Sequence, residues 1–141
     1  MLRLVIIPRT YSTGLLVPNE ELTVEQLLNL LMIPSANDAA YILAQYIANG
    51  CSNQYDMSSS DAAKKKFDQD VQTFSNMMNS KAAELGCTNT HFVNPNGVHN
   101  ENHYSTAHDL CLIGSYALKF PELNNITKKA HYSLAPTAEY S

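Results

Sequence analysis

The spacing of apolar residues predicts that this chain is mainly helical. After Ser60, apolar side chains recur at three- and four-residue steps, the spacing of one face of an α-helix. These positions are Phe67, Val71, Phe74, Met78, Ala82 and Leu85. A similar but shorter pattern predicts a helix over Asn37–Ala48. Gly86 and Asn49-Gly50 follow these two segments, where helices commonly end.

A capping signal precedes another helix nearer the N-terminus. Thr23 and Gln26 have the three-residue spacing of a capping box. The residues from Leu27 to Met32 are apolar nearly all round, which predicts a buried helix. Pro34 ends it, because the residue before a proline avoids the helical conformation.

The C-terminal third shows the same kind of signal. Thr106, with Asp109 three residues later, predicts a capped helix over Leu110–Phe120 that is closed by Pro121. The segment from Pro121 to Lys128 is consistent with one more short helix. The pattern therefore predicts helices along most of the chain.

The non-helical segments are few. Leu2–Ile7 and Ala130–Leu134 are predicted as short strands. Cys87 to Tyr104 is the longest irregular stretch, and its Asn94-Pro95-Asn96-Gly97 sequence is typical of a turn. An irregular stretch of this length in a compact domain is commonly functional.

Composition narrows the function classes. The 141 residues fit one domain or a piece of a larger one. A net charge of -4 argues against nucleic-acid binding, which usually requires a basic face. No apolar run approaches a membrane span, and Met1–Ile7 is too short for a secretory signal. Cys51, Cys87 and Cys111 are predicted to be free and mostly buried thiols, the alternative being a single disulfide if the protein is exported.

The histidines do not predict a metal site. His99, His103 and His108 follow one another at four- and five-residue intervals, with Asp109 adjacent. The surrounding Gly and Asn residues make this segment a loop, and no His-Glu-x-x-His pattern occurs. We therefore expect neither a metal nor any other cofactor.

Ser35-Ala36-Asn37 is the strongest candidate for chemistry. It lies between the helix that Pro34 ends and the predicted helix over Asn37–Ala48. One interpretation is helix capping, since Ser and Asn are preferred N-cap residues. The other is the Ser-x-Asn motif of serine enzymes that bind penicillin, which is accompanied in those enzymes by Ser-x-x-Lys and Lys-Thr-Gly.

The order of several segments carries a family resemblance. They run from about Tyr11 to Leu134 and comprise Leu22 to Leu28, Pro34 to Ala40, Met77 to Gly86, Asn89 to Gly97 and His103 to Leu110. With them, the chain resembles the penicillin-binding D-alanyl-D-alanine carboxypeptidases, serine peptidases that trim bacterial peptidoglycan. The resemblance implies most of the helical lobe of a β-lactamase/DD-peptidase-like α/β fold, with only fragmentary strands.

Two of the family's three motifs are missing. No Lys precedes Ser35, no Lys has a Ser three residues before it, and none is followed by Thr-Gly. We therefore expect residues 1–141 to be an internal part of a transpeptidase-like domain, mostly its helical lobe. By itself the chain should be inactive, because a serine hydroxyl needs a nearby base to attack a carbonyl.

The resemblance also implies roles for three residues. Ser35 would relay a proton toward the leaving nitrogen, and Asn37 would bind the substrate's backbone carbonyl and help hold the catalytic Lys. His91 lies in a loop that corresponds to the rim of the active site, where it would contact substrate. The alternative for His91 is a structural role, with its ring nitrogens bonded to the loop backbone.

The implied partners are a peptidoglycan stem peptide or a β-lactam, on the outer face of a bacterial membrane. Without a covering sheet, part of the Leu27–Met32 helix should stay exposed, which predicts either a marginally stable monomer or self-association through apolar surface. The competing hypothesis is a non-catalytic helical binding or interaction module.

Overall fold

The computed structural model describes residues 2–3, 16–53 and 59–135, and this part of the chain is mainly helical. Its helices are α1 (Val24–Met32), α2 (Asn37–Ala48), α3 (Ser60–Glu84), α4 (Ala107–Ala117) and α5 (Pro121–Thr127). Two short strands, β1 (Leu2–Arg3) and β2 (Glu21–Leu22), pair antiparallel with Leu2 opposite Leu22. The predicted mainly α architecture is confirmed.

The predicted capping box at the start of α1 is confirmed. The Gln26 amide N–H donates to Thr23 Oγ1 at 3.1 Å, and the Thr23 amide N–H donates to Gln26 Oε1 at 2.7 Å. The prediction that this helix is buried on all sides is wrong, because one side of α1 is exposed. Leu27 is fully buried, whereas Met32 is 45% exposed. Helix α1 is therefore amphipathic, with an uncovered edge near its C-terminus.

The main core lies between α1 and α2. Its buried side chains come from both helices and from the segment before them: Leu16, Leu22, Leu27, Leu30, Ala36, Ala39, Ile42 and Leu43. Two small residues at the start of α2, Ala36 and Ala39, let the two helices approach closely around their connection. The core therefore fixes the position of the α1–α2 junction.

Helix α3 packs against α2 and supports the long loop that follows it. The rings of Tyr41 and Phe67 lie 5.3 Å apart between the two helices. Burial raises the pKa of the Tyr41 hydroxyl, and a contact with the Asn96 side chain of the loop acts in the opposite direction. The sequence predicts Ser60 or Asp61 as the N-cap of α3, whereas the cap is Ser59, whose hydroxyl accepts from the Ala62 amide.

Helix α4 begins and ends three residues earlier than predicted. The Thr106 hydroxyl accepts from the Asp109 amide at 3.1 Å, which makes Ala107 the first helical residue. At the other end, the Lys119 and Phe120 amides each donate to the carbonyl three residues earlier, so the chain leaves the helix in a tight turn. Helix α5 then starts at Pro121, confirming the predicted short helix.

The strand predictions are only partly supported. Leu2–Arg3 is a strand, and residues 4–7 of that prediction lie outside the described residues. The predicted strand over Ala130–Leu134 is wrong. Tyr132 and Leu134 pack against the core, while His131 and Ser133 are exposed. The alternation of apolar and polar residues therefore comes from a non-helical segment that packs against the core with every second side chain. No strand lies beside this segment in the described part of the chain.

The cysteine prediction also needs correction. All three thiols are free, but only Cys87 is buried, and both Cys51 and Cys111 are exposed. Burial raises the pKa of the Cys87 thiol, and the nearby Asp109 charge acts in the same direction.

Among the residues that the structure describes, no helix is both long and apolar enough to span a membrane.

Candidate functional site

Ser35 occupies a strained position at the junction of α1 and α2. Its φ angle is 60°, in the left-handed region that non-glycine residues rarely adopt. The neighbouring Ala36 is fully buried, and its amide N–H donates to the Leu30 carbonyl at 3.0 Å. These contacts fix the backbone while leaving the Ser35 side chain exposed. Strained conformations of this kind concentrate at functional sites.

The junction does not support the capping interpretation of Ser35 and Asn37. The N-cap of α2 is Ala36, whose side chain has no polar atom, and Asn37 is the first helical residue. The buried Asp38 instead accepts from two amides, those of Ala39 at 2.9 Å and Leu16 at 3.3 Å. Asp38 therefore ties the start of α2 to the chain segment at Leu16.

His91 lies in the long loop between α3 and α4. Its amide donates to the Tyr104 carbonyl at 2.8 Å, and the Tyr104 amide donates back at 3.0 Å. Its Nδ1 lies 2.6 Å from the Asn102 carbonyl oxygen, which can only accept, so Nδ1 carries the proton. The ring also lies against Tyr104, with centroids 5.9 Å apart. The structural alternative therefore accounts for Nδ1, and Nε2 is the nitrogen that could bind a ligand.

Asn79 holds the same loop onto α3. Its Nδ2 donates to the Phe92 carbonyl at 2.9 Å, and the Phe92 amide donates to its Oδ1 at 2.7 Å. The side chain thus satisfies both backbone groups of Phe92, the residue after His91. The loop is further closed by the predicted turn, in which the Gly97 amide donates to Asn94 Oδ1 at 2.8 Å.

Asp109 anchors the loop from its other side. Its side chain is almost completely buried, and Oδ2 accepts from the Asn89 amide at 2.9 Å and the Thr90 hydroxyl at 2.7 Å. The sequence predicted this residue as the capping partner of Thr106 and placed it beside the histidines rejected as a metal site. The structure directs its carboxylate into the loop instead. The hydrogen bond from Thr90 lowers the pKa of Asp109, outweighing the opposing effect of burial.

This lowered pKa predicts an acid-sensitive loop. Because the native pKa of Asp109 lies below its ordinary value of 3.8, the carboxylate stabilises the folded chain above that pH. The stabilisation is lost as pH falls through the native pKa. We expect Asp109→Asn to lower the melting temperature at neutral pH and to flatten its decline below about pH 4, measured by circular dichroism. Glu101→Gln, an exposed change in the same loop, should preserve the wild-type profile; an unaltered acid limb in Asp109→Asn would contradict this assignment.

The remaining histidines have separate contacts. The Val93 amide donates to His103 Nδ1 at 3.3 Å, and His108 Nδ1 lies 3.3 Å from an Asp109 carboxylate oxygen. In the described ranges, no three His, Cys, Asp or Glu side chains are grouped so that they could hold a metal ion.

The structure brings two of the three predicted site residues together. Ser35 and Asn37 share the α1–α2 junction. The described hydrogen-bond and ring partners of His91 belong to its own loop. Helix α3 connects the two regions, since Phe67 packs on α2 and Asn79 binds the loop. Sequence patterns gave no indication of the Asn79 contact, because it joins residues from a helix and an irregular loop.

Comparisons with known proteins point to one family. A family model described as D-alanyl-D-alanine carboxypeptidase matches residues 65–140, more than half of the chain. The chain is 35% identical over 110 residues to D-alanyl-D-alanine carboxypeptidase DacF of Bacillus subtilis (strain 168), covering 78% of this chain and 23% of that protein. It is 36% identical over 122 residues to the D-alanyl-D-alanine carboxypeptidase of Streptomyces sp. (strain K15), covering 86% and 37%.

Solved structures agree with these sequence matches. The crystal structure of the Streptomyces K15 DD-transpeptidase superposes with a TM-score of 0.73 at 34% identity, covering 94% of this chain and 46% of that one. The D-alanyl-D-alanine carboxypeptidase DacD from Francisella tularensis gives a TM-score of 0.66 at 28% identity, covering 88% and 27%. The chain thus spans less than half the length of each of these relatives.

Proposed function

Because this chain belongs to the D-alanyl-D-alanine carboxypeptidase family, we propose that it forms part of a serine enzyme that removes the terminal D-alanine from peptidoglycan stem peptides. The reaction would proceed through an acyl-enzyme, which water then hydrolyses. The bound partner is a stem peptide or a β-lactam, on the outer face of a bacterial membrane. Residues 1–141 would supply mainly the helical lobe of the catalytic domain.

The α1–α2 junction is one wall of the proposed active site. Ser35 relays a proton toward the leaving nitrogen, and Asn37 donates a hydrogen bond to the substrate's backbone carbonyl. The observation that carries this proposal is the exposed serine at a φ angle of 60°, above the fully buried Ala36. Glycine would adopt this conformation at lower cost, so the serine side chain has a use that outweighs the strain.

His91 is proposed to contact substrate at the rim. The bond from Nδ1 to the Asn102 carbonyl fixes the orientation of the ring, and the Tyr104 ring supports one of its faces. Nε2 is then the ring nitrogen proposed to accept from a substrate N–H. The clamp from Asn79 and the anchor from Asp109 keep the loop in place without help from a ligand.

The catalytic serine and its lysine base are proposed to come from a segment that is not in this chain. The sequence contains neither Ser-x-x-Lys nor Lys-Thr-Gly. We therefore expect no covalent adduct when the purified chain is incubated with a fluorescent penicillin and run on a denaturing gel. A stable adduct would mean that a serine of this chain is itself activated, and would contradict the assigned helper role.

A chimera tests the proposal directly. This chain replaces the matching segment of the Streptomyces K15 enzyme, with which it shares 34% identity. We expect the chimera to bind fluorescent penicillin covalently and to release D-alanine from a D-Ala-D-Ala peptide. A folded chimera without either activity would favour the alternative, a non-catalytic helical interaction module.

Self-association is also proposed. Several large apolar side chains are substantially exposed, among them Met32, Met77, Leu110, Leu118 and Phe120. Exposed apolar surface favours contact with a partner. Size-exclusion chromatography of the isolated chain should therefore give an apparent mass above that of the 15.6 kDa monomer.

A further inference from the structure

Two hydroxyl side chains join the loop segments on either side of His91. The oxygens of Thr90 and Ser105 lie 2.9 Å apart, and Thr90 Oγ1 lies 2.7 Å from the carboxylate of Asp109. Thr90 directly precedes His91 in the chain. Ser105 directly follows Tyr104, whose backbone pairs with that of His91 in an antiparallel bridge. These side-chain contacts therefore lie beside the backbone pair that carries the His91 ring.

The direction of the hydrogen bonds follows from the donors available. Hydrogen bonding lowers the pKa of Asp109 below its ordinary value of 3.8, so this carboxyl is ionised at neutral pH. An ionised carboxylate can only accept, so the Thr90 hydroxyl donates its proton to Asp109. Ser105 then donates to Thr90 Oγ1, in preference to the Thr106 carbonyl, which lies farther away at 3.5 Å. The result is a directed chain of hydrogen bonds from Ser105 through Thr90 to Asp109.

We propose that Thr90 and Ser105 are positioning residues that hold the His91 ring in the orientation suited to substrate contact. The chain of hydrogen bonds fixes the separation of the two loop segments. That separation sets the 2.6 Å distance from His91 Nδ1 to the Asn102 carbonyl, because Asn102 lies on the same segment as Ser105. With the proton held at Nδ1, Nε2 remains the accepting nitrogen. The inference rests on the proposed contact of His91 with substrate and adds the residues that make that contact possible.

Burial explains why this chain, rather than the contacts of the ring itself, holds the two segments together. The bond from His91 Nδ1 is exposed and Tyr104 is 55% exposed, so water competes for both contacts. Asp109 is only 1% exposed, and hydrogen bonds to a charged group are stronger than those between neutral groups. The Asn79 clamp does not replace this chain, since it ties the His91 segment to α3 and does not reach the Ser105 segment.

Thr90→Val tests the inference in the isolated chain. Valine has nearly the shape of threonine but no hydroxyl, so it breaks the chain of hydrogen bonds and leaves Asp109 bonded to the Asn89 amide. The amides of His91 and Tyr104 donate across the bridge, and their hydrogen-exchange rates should rise roughly ten- to hundredfold. The nitrogen chemical shifts of the His91 ring at neutral pH should change from those of the Nδ1–H form to those of a mixture of both tautomers.

Three further variants make this test specific. Thr90→Ser keeps the hydroxyl and should restore the wild-type exchange rates and tautomer. Ser105→Ala removes only the first hydrogen bond of the chain and should give a smaller change in the same direction. Thr88→Val is the matched control, because Thr88 is exposed and its hydroxyl accepts from the neighbouring Asn89 side chain. It should alter neither measurement.

Two results in a folded Thr90→Val chain would overturn the inference. Wild-type exchange rates at His91 and Tyr104 would show that the hydroxyl does not hold the two segments together. Faster exchange with an unchanged His91 tautomer would show that Thr90 stabilises the loop without positioning the ring.

The Streptomyces K15 chimera separates this inference from the proposed function. There Thr90→Val should raise the KM for a D-Ala-D-Ala peptide roughly three- to tenfold, while kcat changes less than about twofold. In a His91→Ala background, Thr90→Val should have no further effect on KM. A tautomer change with an unaltered KM would refute the substrate contact of His91 and not its positioning. An unaltered tautomer in an active chimera would refute only the positioning.

Discussion

We expect Ser35→Gly to stabilise this chain and to remove most of the activity that the chain supports in the Streptomyces K15 chimera. The stabilising part follows from the φ angle of 60° at Ser35. A left-handed conformation costs a non-glycine residue roughly 1–2 kcal/mol, which glycine avoids. Glycine loses more backbone entropy on folding, by roughly 0.5–1 kcal/mol. The net gain in the free energy of unfolding should be up to about 1.5 kcal/mol, measured by urea denaturation.

The loss of activity follows from the proposed proton relay. A positioned acid–base group contributes roughly 10²- to 10⁴-fold to a reaction rate. Ser35→Gly and Ser35→Ala remove that hydroxyl, and both should lower the kcat/KM for D-alanine release by an amount in that range. Asn37→Ala should also lower this kcat/KM, mainly because the substrate would bind more weakly and the catalytic lysine would be held less firmly in place. A gain in stability with a loss of activity is the signature of a residue retained for function.

Asn19→Gly is the matched control for the backbone effect. Asn19 also has a positive φ angle, 69°, but it lies in the turn before β2. Its replacement should relieve backbone strain without a comparable loss of activity in the chimera. Full activity in a well-folded Ser35→Gly chimera would show that Ser35 is not the proton relay.

Sequence patterns predicted the elements whose signals are local. The capping box of Thr23 and Gln26, the bounds of α2 and the start of α5 at Pro121 all depend on neighbouring residues, and each is confirmed. The family was also accessible from the sequence, because the order of several segments is more specific than one three-residue motif.

Features that depend on distant contacts were not accessible. Asp109 has the right spacing to complete a capping box, yet its carboxylate binds Asn89 and Thr90, about twenty residues earlier. The extended segment after α5 alternates like a strand, but alternation does not reveal whether another strand lies beside it. The left-handed conformation of Ser35, beside the fully buried Ala36, likewise has no local glycine signal in the sequence.

The core beneath the α1–α2 junction should be the most sensitive region to truncation. Leu27 has no exposed surface, and it packs among the side chains that hold α1 against α2. Leu27→Ala removes buried methyl groups and leaves a cavity that the small Ala36 and Ala39 cannot fill. We expect it to lower the free energy of unfolding by about 3–4 kcal/mol. A loss of this size is a large fraction of the stability of an ordinary domain.

The measurement is urea denaturation followed by circular dichroism, since the chain has no Trp for fluorescence. It should be repeated at several protein concentrations, because self-association would make the apparent stability depend on concentration. Val24→Ala is the control: Val24 lies on the same helix but is 43% exposed, so its truncation should cost less than about 0.5 kcal/mol. Equal effects of the two substitutions would mean that α1 does not bury Leu27 in solution, and the backbone of Ser35 would then lack its support.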